Sequence, residues 1–429
     1  MSRPGSPDVP ASGGDPGAAA RHGSNTGPQD PALPETHGSP TVTASAPPTT
    51  LADPDTPFAV VDVARSRRNV RRLADHLDGS GAALRPHVKT AKSLRAAALM
   101  HHGRPGPITV STLAEAEAFA DGGYTDITYA VGIDPHKLPR VVALLRRGVA
   151  LRVLLDSPGQ ARAVTDAAAG AGLRIPALVE VDCDGHRGGI LPGDPALVTV
   201  GRLLHGAGCL DGVLVHAGES YFAATGEERR RAAAHERDVA VAAARRLRDR
   251  GMEVATVSVG STPTAHAADD LTGVTEVRAG NYVFFDLVMA GLGVCGIDDL
   301  ALSVVVTVIG HRPEYGWILT DGGWTAMSRD RGTANQAVDQ GYGLVTDLAG
   351  TLVPGLVMIG ASQEHGVLSA RDGHPLPDLP LGTRLRVLPN HACATAAQHG
   401  AYLVVDGDER TTPGAAPRVT DVWERVTGW

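Results

Sequence analysis

The stretch Leu84–Ser93 reads LRPHVKTAKS, and the rest of the chain is interpreted outward from it. It places Lys89 at the far end of a short apolar strand, with a helix-forming run starting just afterwards. An amine held there sits on a rigid element and stays open to a pocket, which is the placement that Schiff-base chemistry needs. Taken alone, the residue reads as a surface lysine at a strand edge. Six later strand ends also carry polar residues suited to one anionic aromatic cofactor, and they draw the lysine into a constellation.

From Phe58 onward the hydrophobic period switches repeatedly. Phe58–Val63 is a strand candidate and Arg65–Leu77 an amphipathic helix. Apolar strand candidates then end near Lys89, Thr112, Val131, Asp156, Cys183, Gly218, Ser261 and Gly280. Helical patterns such as Leu113–Asp121, Pro135–Arg147 and Glu227–Arg250 fill most of the gaps. Near-continuous Val/Ile/Leu runs suit a parallel sheet buried on both faces. Eight such units predict an α/β protein built on a (β/α)8 barrel. An open doubly wound sheet is the alternative, although no GxGxxG follows the first strand.

After Ile297 the texture changes to short strands joined by Gly/Pro turns: Ala301–His311, Trp317–Asp321, Gly341–Asp347, Leu356–Ile359, Arg384–Leu388 and Ala401–Val405. The expected organisation is therefore a barrel over residues 56–296 and a mostly antiparallel β domain over 297–429, with Phe58–Val63 available to pair with the latter. Residues 1–55 are dominated by Pro, Gly, Ser, Ala and Thr. They hold too few large apolar side chains to offset ordering, so a disordered extension is expected.

A net charge of -8 argues against a nucleic-acid surface, and the Arg-rich run Arg229–Arg250 reads as the solvated face of a helix. Neither a secretory signal nor a membrane-length apolar span is visible. Cys183, Cys209, Cys295 and Cys393 are scattered without paired spacing, which suits a reducing, cytoplasmic setting. A small-molecule substrate is expected, with no nucleic-acid or membrane partner.

In a barrel the chemistry sits at the carboxyl ends of the strands. Those ends give Lys89, then Ser111 and Thr112, then Asp182 with Arg187 just beyond. His216 with Ser220 and Tyr221 follows, then Gly260-Ser261-Thr262, and last Arg278 with Gly280-Asn281-Tyr282. Ser258–Thr264, SVGSTPT, is a glycine turn before a helix start, where backbone N–H groups and the positive helix end can cradle a phosphate. Arg278-Ala-Gly-Asn is a second such turn on the neighbouring strand. Each alone is an ordinary loop; two together facing one pocket favour the phosphate.

Taken together, RPHVKT at Arg85, HAGESY at His216, SVGSTPT at Ser258, EVRAGNYVFFD at Glu276, LTDGGW at Leu319, SQEHG at Ser362 and PNHAC at Pro389 resemble the fold-type III, alanine racemase-like pyridoxal-phosphate enzymes. The likeness is to their D-serine dehydratase and D-threonine aldolase branch. It spans roughly residues 57–406.

The resemblance implies that Lys89 carries the cofactor as a Schiff base, with Arg278 facing the pyridine nitrogen. The Gly260 and Gly280 turns, with Ser261, Thr262 and Asn281, would hold the phosphate. His216 and Tyr221 would line the ring, and Arg187 would reach the phenolate side. It also implies a homodimer, in which loops such as Ser328–Gly332 reach the partner's pocket. Two positions depart from the pattern, Ala91 and Glu219, each where the branch commonly has histidine. They put the substrate range in question.

In Pro389-Asn-His-Ala-Cys, His391 and Cys393 stand at i and i+2. On a strand both would leave the same face and could hold one metal. Two ligands are half a tetrahedral set, and it is the resemblance that assigns a metal here. Imidazole with thiolate favours zinc, with manganese or another divalent ion as the alternative. Glu364 and His365 could orient a ligand or simply form a turn.

A Lewis acid helps hydroxide leave a β-carbon, and the same ion could instead activate a β-hydroxyl for Cα–Cβ cleavage. The expected activity is thus that of a pyridoxal-phosphate- and metal-dependent lyase on D-β-hydroxy amino acids. D-serine dehydration comes first, with D-threonine aldol cleavage or D-3-hydroxyaspartate dehydration as alternatives. A non-catalytic cofactor carrier and a metal-dependent hydrolase on the same barrel are the competing classes. The second domain and the His391/Cys393 pair speak against the carrier; the missing HxH on the first strand speaks against the hydrolase.

Overall fold

The computed structural model describes residues 48–409 and 415–429. The first strand, β1 (Phe58–Asp62), leads into a helix over Val63–Leu77 capped by the Asp62 carboxylate. Eight strands then run in parallel: β2 (Ala83–Leu84), β3 (Ile108–Val110), β4 (Asp126–Gly132), β5 (Ala150–Leu155), β6 (Ala177–Val181), β7 (Leu210–Val215), β8 (Thr256–Val259) and β9 (Glu276–Val277). Their spatial order is β2-β9-β8-β7-β6-β5-β4-β3.

The ring closes where β2 continues as extended backbone to Val88. On one side the Arg85 and His87 amides donate to Val277 and Ala279 at 2.9 and 2.7 Å. On the other, Thr109 N–H donates to Pro86 C=O at 2.8 Å and Val88 N–H to Thr109 C=O at 2.9 Å. Pro86 has no N–H to give, so it contributes only its carbonyl, which faces Thr109 while the Arg85 and His87 amides on either side of it both donate toward β9. The doubly wound alternative is thereby displaced by a closed barrel.

The amino-terminal floor of the barrel is ionic. Buried Arg85 donates to Glu276 at 2.6 Å and to Asp126 at 2.9 Å, and Arg152 links Asp126 to Asp211 at 2.6 and 2.9 Å.

The second sheet contains β10 (Leu302–Arg312), β11 (Trp317–Thr320), β12 (Gly343–Asp347), β13 (Leu352–Ala361), β14 (Gly366–Ala370), β15 (Arg384–Pro389), β16 (Ala401–Val405) and β17 (Asp421–Glu424). Together with β1 it runs β11-β14-β13-β12-β15-β10-β1-β16-β17, and β11 also pairs with β10. All its pairings are antiparallel except β1 with β16. β14 and β17 had no counterpart in the sequence reading, because short runs rich in small or alternating polar residues carry little apolar signal.

The expected disordered extension lies mostly in residues 1–47, outside the described residues. Its last part is ordered: Leu51 is fully buried against Val60, Val305 and Val405, and its amide donates to Pro417 C=O at 2.9 Å. One well-placed leucine suffices to anchor the segment against a ready apolar face. Lys92, expected on the following helix, instead sits at φ +47° in the turn before it, because the helix begins only at Leu94. Its ammonium lies 3.4 Å from buried Glu115, which also receives the Ser111 and Thr112 amides.

Replacing Arg85 with alanine would leave the Glu276 carboxylate buried without its cation. The expected cost is about 3–5 kcal/mol of stability, read as a lowered midpoint in denaturant unfolding; an unchanged midpoint would show the floor to be indifferent to its charge.

Candidate active site

At the carboxyl ends of the barrel strands lies a cavity of ≈ 430 Å³, and every catalytic, cofactor and metal residue singled out from the sequence lines it. Lys89 enters from the turn after β2. Gly280 packs beneath that turn, where a side chain would come within 2.7 Å of the His87 carbonyl oxygen. Arg278 is buried and donates to Ser258 Oγ at 2.5 Å and to Val215 C=O at 2.6 Å, so its plane is held by two strands. Burial lowers its pKa, opposed by the charges of Glu276, Glu236 and Glu180.

His216 Nδ1 lies 3.0 Å from the Gly260 carbonyl. An N–H at Nδ1 satisfies that carbonyl and leaves Nε2 unprotonated. Burial pushes the His216 pKa down to about 3, so the ring is neutral at any ordinary pH. Burial raises the Tyr221 phenol, with the Cys393 and Asp286 charges acting in the same direction, so the hydroxyl keeps its proton. His87, missed in the sequence reading, also lines the cavity and is likewise held neutral by burial and by the nearby charges of Lys89 and Arg278.

The β8 turn keeps the glycine and the helix start of the expected phosphate cradle, but not its free amides. Ser261 caps the helix Thr262–Ala267, and Gly260 adopts φ +132°, where a Cβ would collide with the Arg278 backbone. The Gly260 amide, however, donates to Glu236 at 3.0 Å and the Ser261 amide to Thr264 Oγ1 at 3.0 Å. These two amides are therefore spoken for. Thr262 Oγ1 is buried and, among the described residues, has no hydrogen-bond partner. An orphaned hydroxyl at a helix start beside an arginine-lined cavity fits the phosphate end of pyridoxal phosphate.

Other strand-end expectations fall outside the cavity. Ser111 and Thr112 are turned onto Glu115, and Asp182 accepts from the amides of Asp184 and Gly185 within its own turn. Ala91 is buried, its carbonyl receives the Tyr402 hydroxyl at 2.8 Å, and it is not among the residues lining the cavity. Glu219 pairs with His186 at 2.7 Å on the cavity rim.

The His391/Cys393 pair is not on a strand. β15 ends at Pro389, Asn390 turns inward to bond Thr333 and Gly341, and His391 caps a short helix over Ala392–Ala396 that carries Cys393 in its first turn. The change from extended backbone at His391 to helix at Cys393, not strand alternation, sets the two side chains side by side. Burial opposes charge on His391, but the Cys393 thiolate and the Asp330 carboxylate, 2.6 Å from Nδ1, more than offset it and raise its pKa. For Cys393 burial is likewise outweighed, by the His391 imidazolium, by Lys89 and by Thr90, whose hydroxyl is 3.1 Å from the sulfur.

A thiolate with an imidazole whose far nitrogen is held by a carboxylate is a donor set suited to a divalent metal. Among the described residues no group of three His, Cys, Asp or Glu is close enough to enclose an ion. The pair therefore fits an open site with exchangeable positions rather than a closed structural one. Thr90 escaped the sequence reading, and Asp330, in the Ser328–Gly332 loop expected to reach the partner's pocket, lines this chain's own cavity. Glu364 and His365 line no part of the cavity, and Glu364 accepts from Thr325 at 2.8 Å in the turn between β13 and β14.

Residues 61–288 match the family described as alanine racemase, N-terminal domain, and residues 301–405 match the putative serine dehydratase domain. The chain belongs to the alanine racemase-like, fold-type III family of pyridoxal-phosphate enzymes, and within it to the lyases. It is 50% identical to D-threo-3-hydroxyaspartate dehydratase of Delftia sp. (strain HT23), covering 89% of this chain and 99% of the relative. The D-threonine aldolase of Arthrobacter sp. is 30% identical, covering 87% and 93% of the two chains.

The solved structure of the Delftia enzyme superimposes with a TM-score of 0.84 over 89% of this chain and all of that one. That of D-threonine aldolase from Filomicrobium marinum, 29% identical, gives 0.73 over 88% and 97%. Variants of the Delftia enzyme have a histidine or, two positions on, a cysteine replaced by alanine, and the cysteine variant is described as metal-free.

Gly260→Ala tests the cradle. The added methyl collides with the Arg278 backbone, so retention of pyridoxal phosphate through gel filtration should fall by roughly tenfold or more, while far-ultraviolet circular dichroism is unchanged. Undiminished retention would take this turn out of the site.

Proposed function

We propose that this chain is a pyridoxal-phosphate- and metal-dependent dehydratase of D-threo-3-hydroxyaspartate. The observation that supports it most is the 50% identity to the Delftia dehydratase over nearly the whole of both chains. D-Serine, the substrate expected from sequence motifs, is displaced to second place, since the D-serine dehydratases of Dictyostelium discoideum and Schizosaccharomyces pombe are 27% and 29% identical. The cavity's chemistry supports a dicarboxylate. Beyond Lys89 and Arg278 it offers Arg187, which the resemblance sets toward the phenolate side of the cofactor and whose side chain is more than half exposed, bonded among the described residues to Glu180 at 3.3 Å.

Lys89 Nζ would hold the cofactor and, once released by substrate, take the proton from Cα. Pyridoxal phosphate, when bound, supplies the electron sink that weakens bonds at Cα. Arg278, already cationic and fixed by Ser258 and Val215, would sit at the ring nitrogen and keep a proton off it. A weaker sink favours loss of the Cα proton and of the leaving group in close succession. His216, neutral and tethered through Nδ1, and the un-ionised Tyr221 would pack against the ring.

His391 and Cys393 would hold a divalent ion, zinc or manganese, with Asp330 fixing the imidazole. Such an ion supplies Lewis acidity to the β-hydroxyl. The Thr90 contact to Cys393 keeps that donor pair beside the Lys89 turn. The assembly we propose is a homodimer.

The second reading is aldol cleavage, supported by the 30% identical D-threonine aldolase. Product analysis separates them. With D-threo-3-hydroxyaspartate, dehydration yields oxaloacetate and ammonia, whereas aldol cleavage yields glycine and glyoxylate. Oxaloacetate with ammonia is the expected pair, with kcat/KM higher than for D-serine; glycine would sink the dehydratase reading.

Lys89→Ala should lose both the visible absorbance of bound cofactor and turnover, while Lys92→Ala, whose side chain is turned to Glu115, keeps both. Reversal of that pattern would move the cofactor to the other lysine. Removing metal with a chelator, or Cys393→Ala, should abolish dehydration and leave the absorbance of bound cofactor nearly intact, because the barrel holds one and the β domain the other. Full activity in protein shown metal-free by elemental analysis would exclude the Lewis-acid role.

A further inference from the structure

The helix Gly226–Arg248 is rich in arginine, glutamate and alanine, yet one acid on it, Glu236, is almost wholly buried. Among the described residues no lysine or arginine pairs with its carboxylate, and its three bonds go to the turns after β7 and β8 and the helix that follows. Oε1 accepts from the Ala217 amide at 2.8 Å and from the Gly260 amide at 3.0 Å. Oε2 accepts from Thr264 Oγ1 at 2.8 Å, and that hydroxyl in turn receives the Ser261 amide at 3.0 Å.

One carboxylate therefore joins the turn after β7, which carries His216 and Tyr221, to the turn after β8. It also fixes the rotation of the peptide groups there. With Gly260 and Ser261 drawn inward, the start of the Thr262–Ala267 helix faces the cavity, and the unpartnered Thr262 hydroxyl lies at its edge.

We propose that Glu236 is a positioning residue for the phosphate of the cofactor, acting through the Ala217, Gly260 and Thr264 bonds to set which donors of the β8 turn face the cavity. The inference rests on the reading of that turn as the phosphate cradle. A buried carboxylate suits the task because it accepts at both oxygens. An apolar residue in its place would leave two buried amides without acceptors, and they would turn toward other partners.

The test compares pyridoxal phosphate with pyridoxal, which lacks the phosphate, in titrations of the full chain freed of cofactor and followed by visible absorbance. Wild type should prefer pyridoxal phosphate. Glu236→Ala should lose roughly tenfold to a hundredfold of that preference while its affinity for pyridoxal stays the same. Glu236→Gln, which keeps one oxygen for both amides, should restore the preference to within roughly threefold of wild type.

Should the alanine variant not fold, Thr264→Val removes one of the three bonds and should lose roughly threefold to tenfold of the preference. An intact preference in Glu236→Ala, or in Thr264→Val, overturns the proposal. So does an equal loss for both ligands, which would mark Glu236 as a general support of the fold. A wild type that binds the two ligands equally would instead overturn the cradle reading on which the inference stands.

Discussion

Closure of the barrel through Pro86–Val88 is the constraint on which the site depends. The extended segment is held by β9 on one side and by the Thr109 backbone on the other, and it ends in the turn that carries Lys89. The same turn is gripped from the β domain: Tyr402 donates to the Ala91 carbonyl at 2.8 Å, the Val426 amide to that of Lys92 at 2.6 Å, and Thr90 meets Cys393. A lysine on a flexible, four-carbon stem is thereby rooted in a backbone with little freedom. Loosening any one of these grips would act on the amine before it acted on the remainder of the barrel.

The two halves of the site have different physical characters. On the barrel side, burial keeps His216 and His87 neutral and Tyr221 un-ionised, and Arg278, Lys89 and Arg187 line the same wall. That leaves a cavity wall of cations and neutral donors suited to an anionic ligand. On the β-domain side, His391 and Cys393 stabilise each other as a charged pair, and a metal bound there would take the place of the proton on the imidazole. The floor of the barrel, by contrast, carries its own closed ion-pair network and contributes stability rather than chemistry.

Much of this was legible along the chain. Near-continuous apolar runs separated by helical patterns specified the barrel, and polar residues at their carboxyl ends specified what lines its mouth. The misreadings share one cause. His391 and Cys393 looked like alternate strand residues because i and i+2 cannot be told apart as strand or cap from two positions. Lys92 looked helical, but it adopts a left-handed conformation in the turn before Leu94, and the partner of its ammonium, Glu115, comes from a helix further along the chain. Leu51 looked isolated because its apolar partners come from strands far along the chain.

By itself, then, the amino-acid sequence determined the alternation of elements, the lysine at a strand end, the two glycine turns and the pair of soft ligands, since each is written in residues a few positions apart. Only the tertiary structure decided which distant side chains serve them. Asp330 reaches His391 across 61 residues, Thr90 reaches Cys393 across 303, and Glu236 reaches Gly260 from inside a helix that otherwise looks solvated. Periodicity records which face of an element is buried. It does not record what waits there, because that is settled by the closure of the barrel and the docking of the β domain onto its mouth.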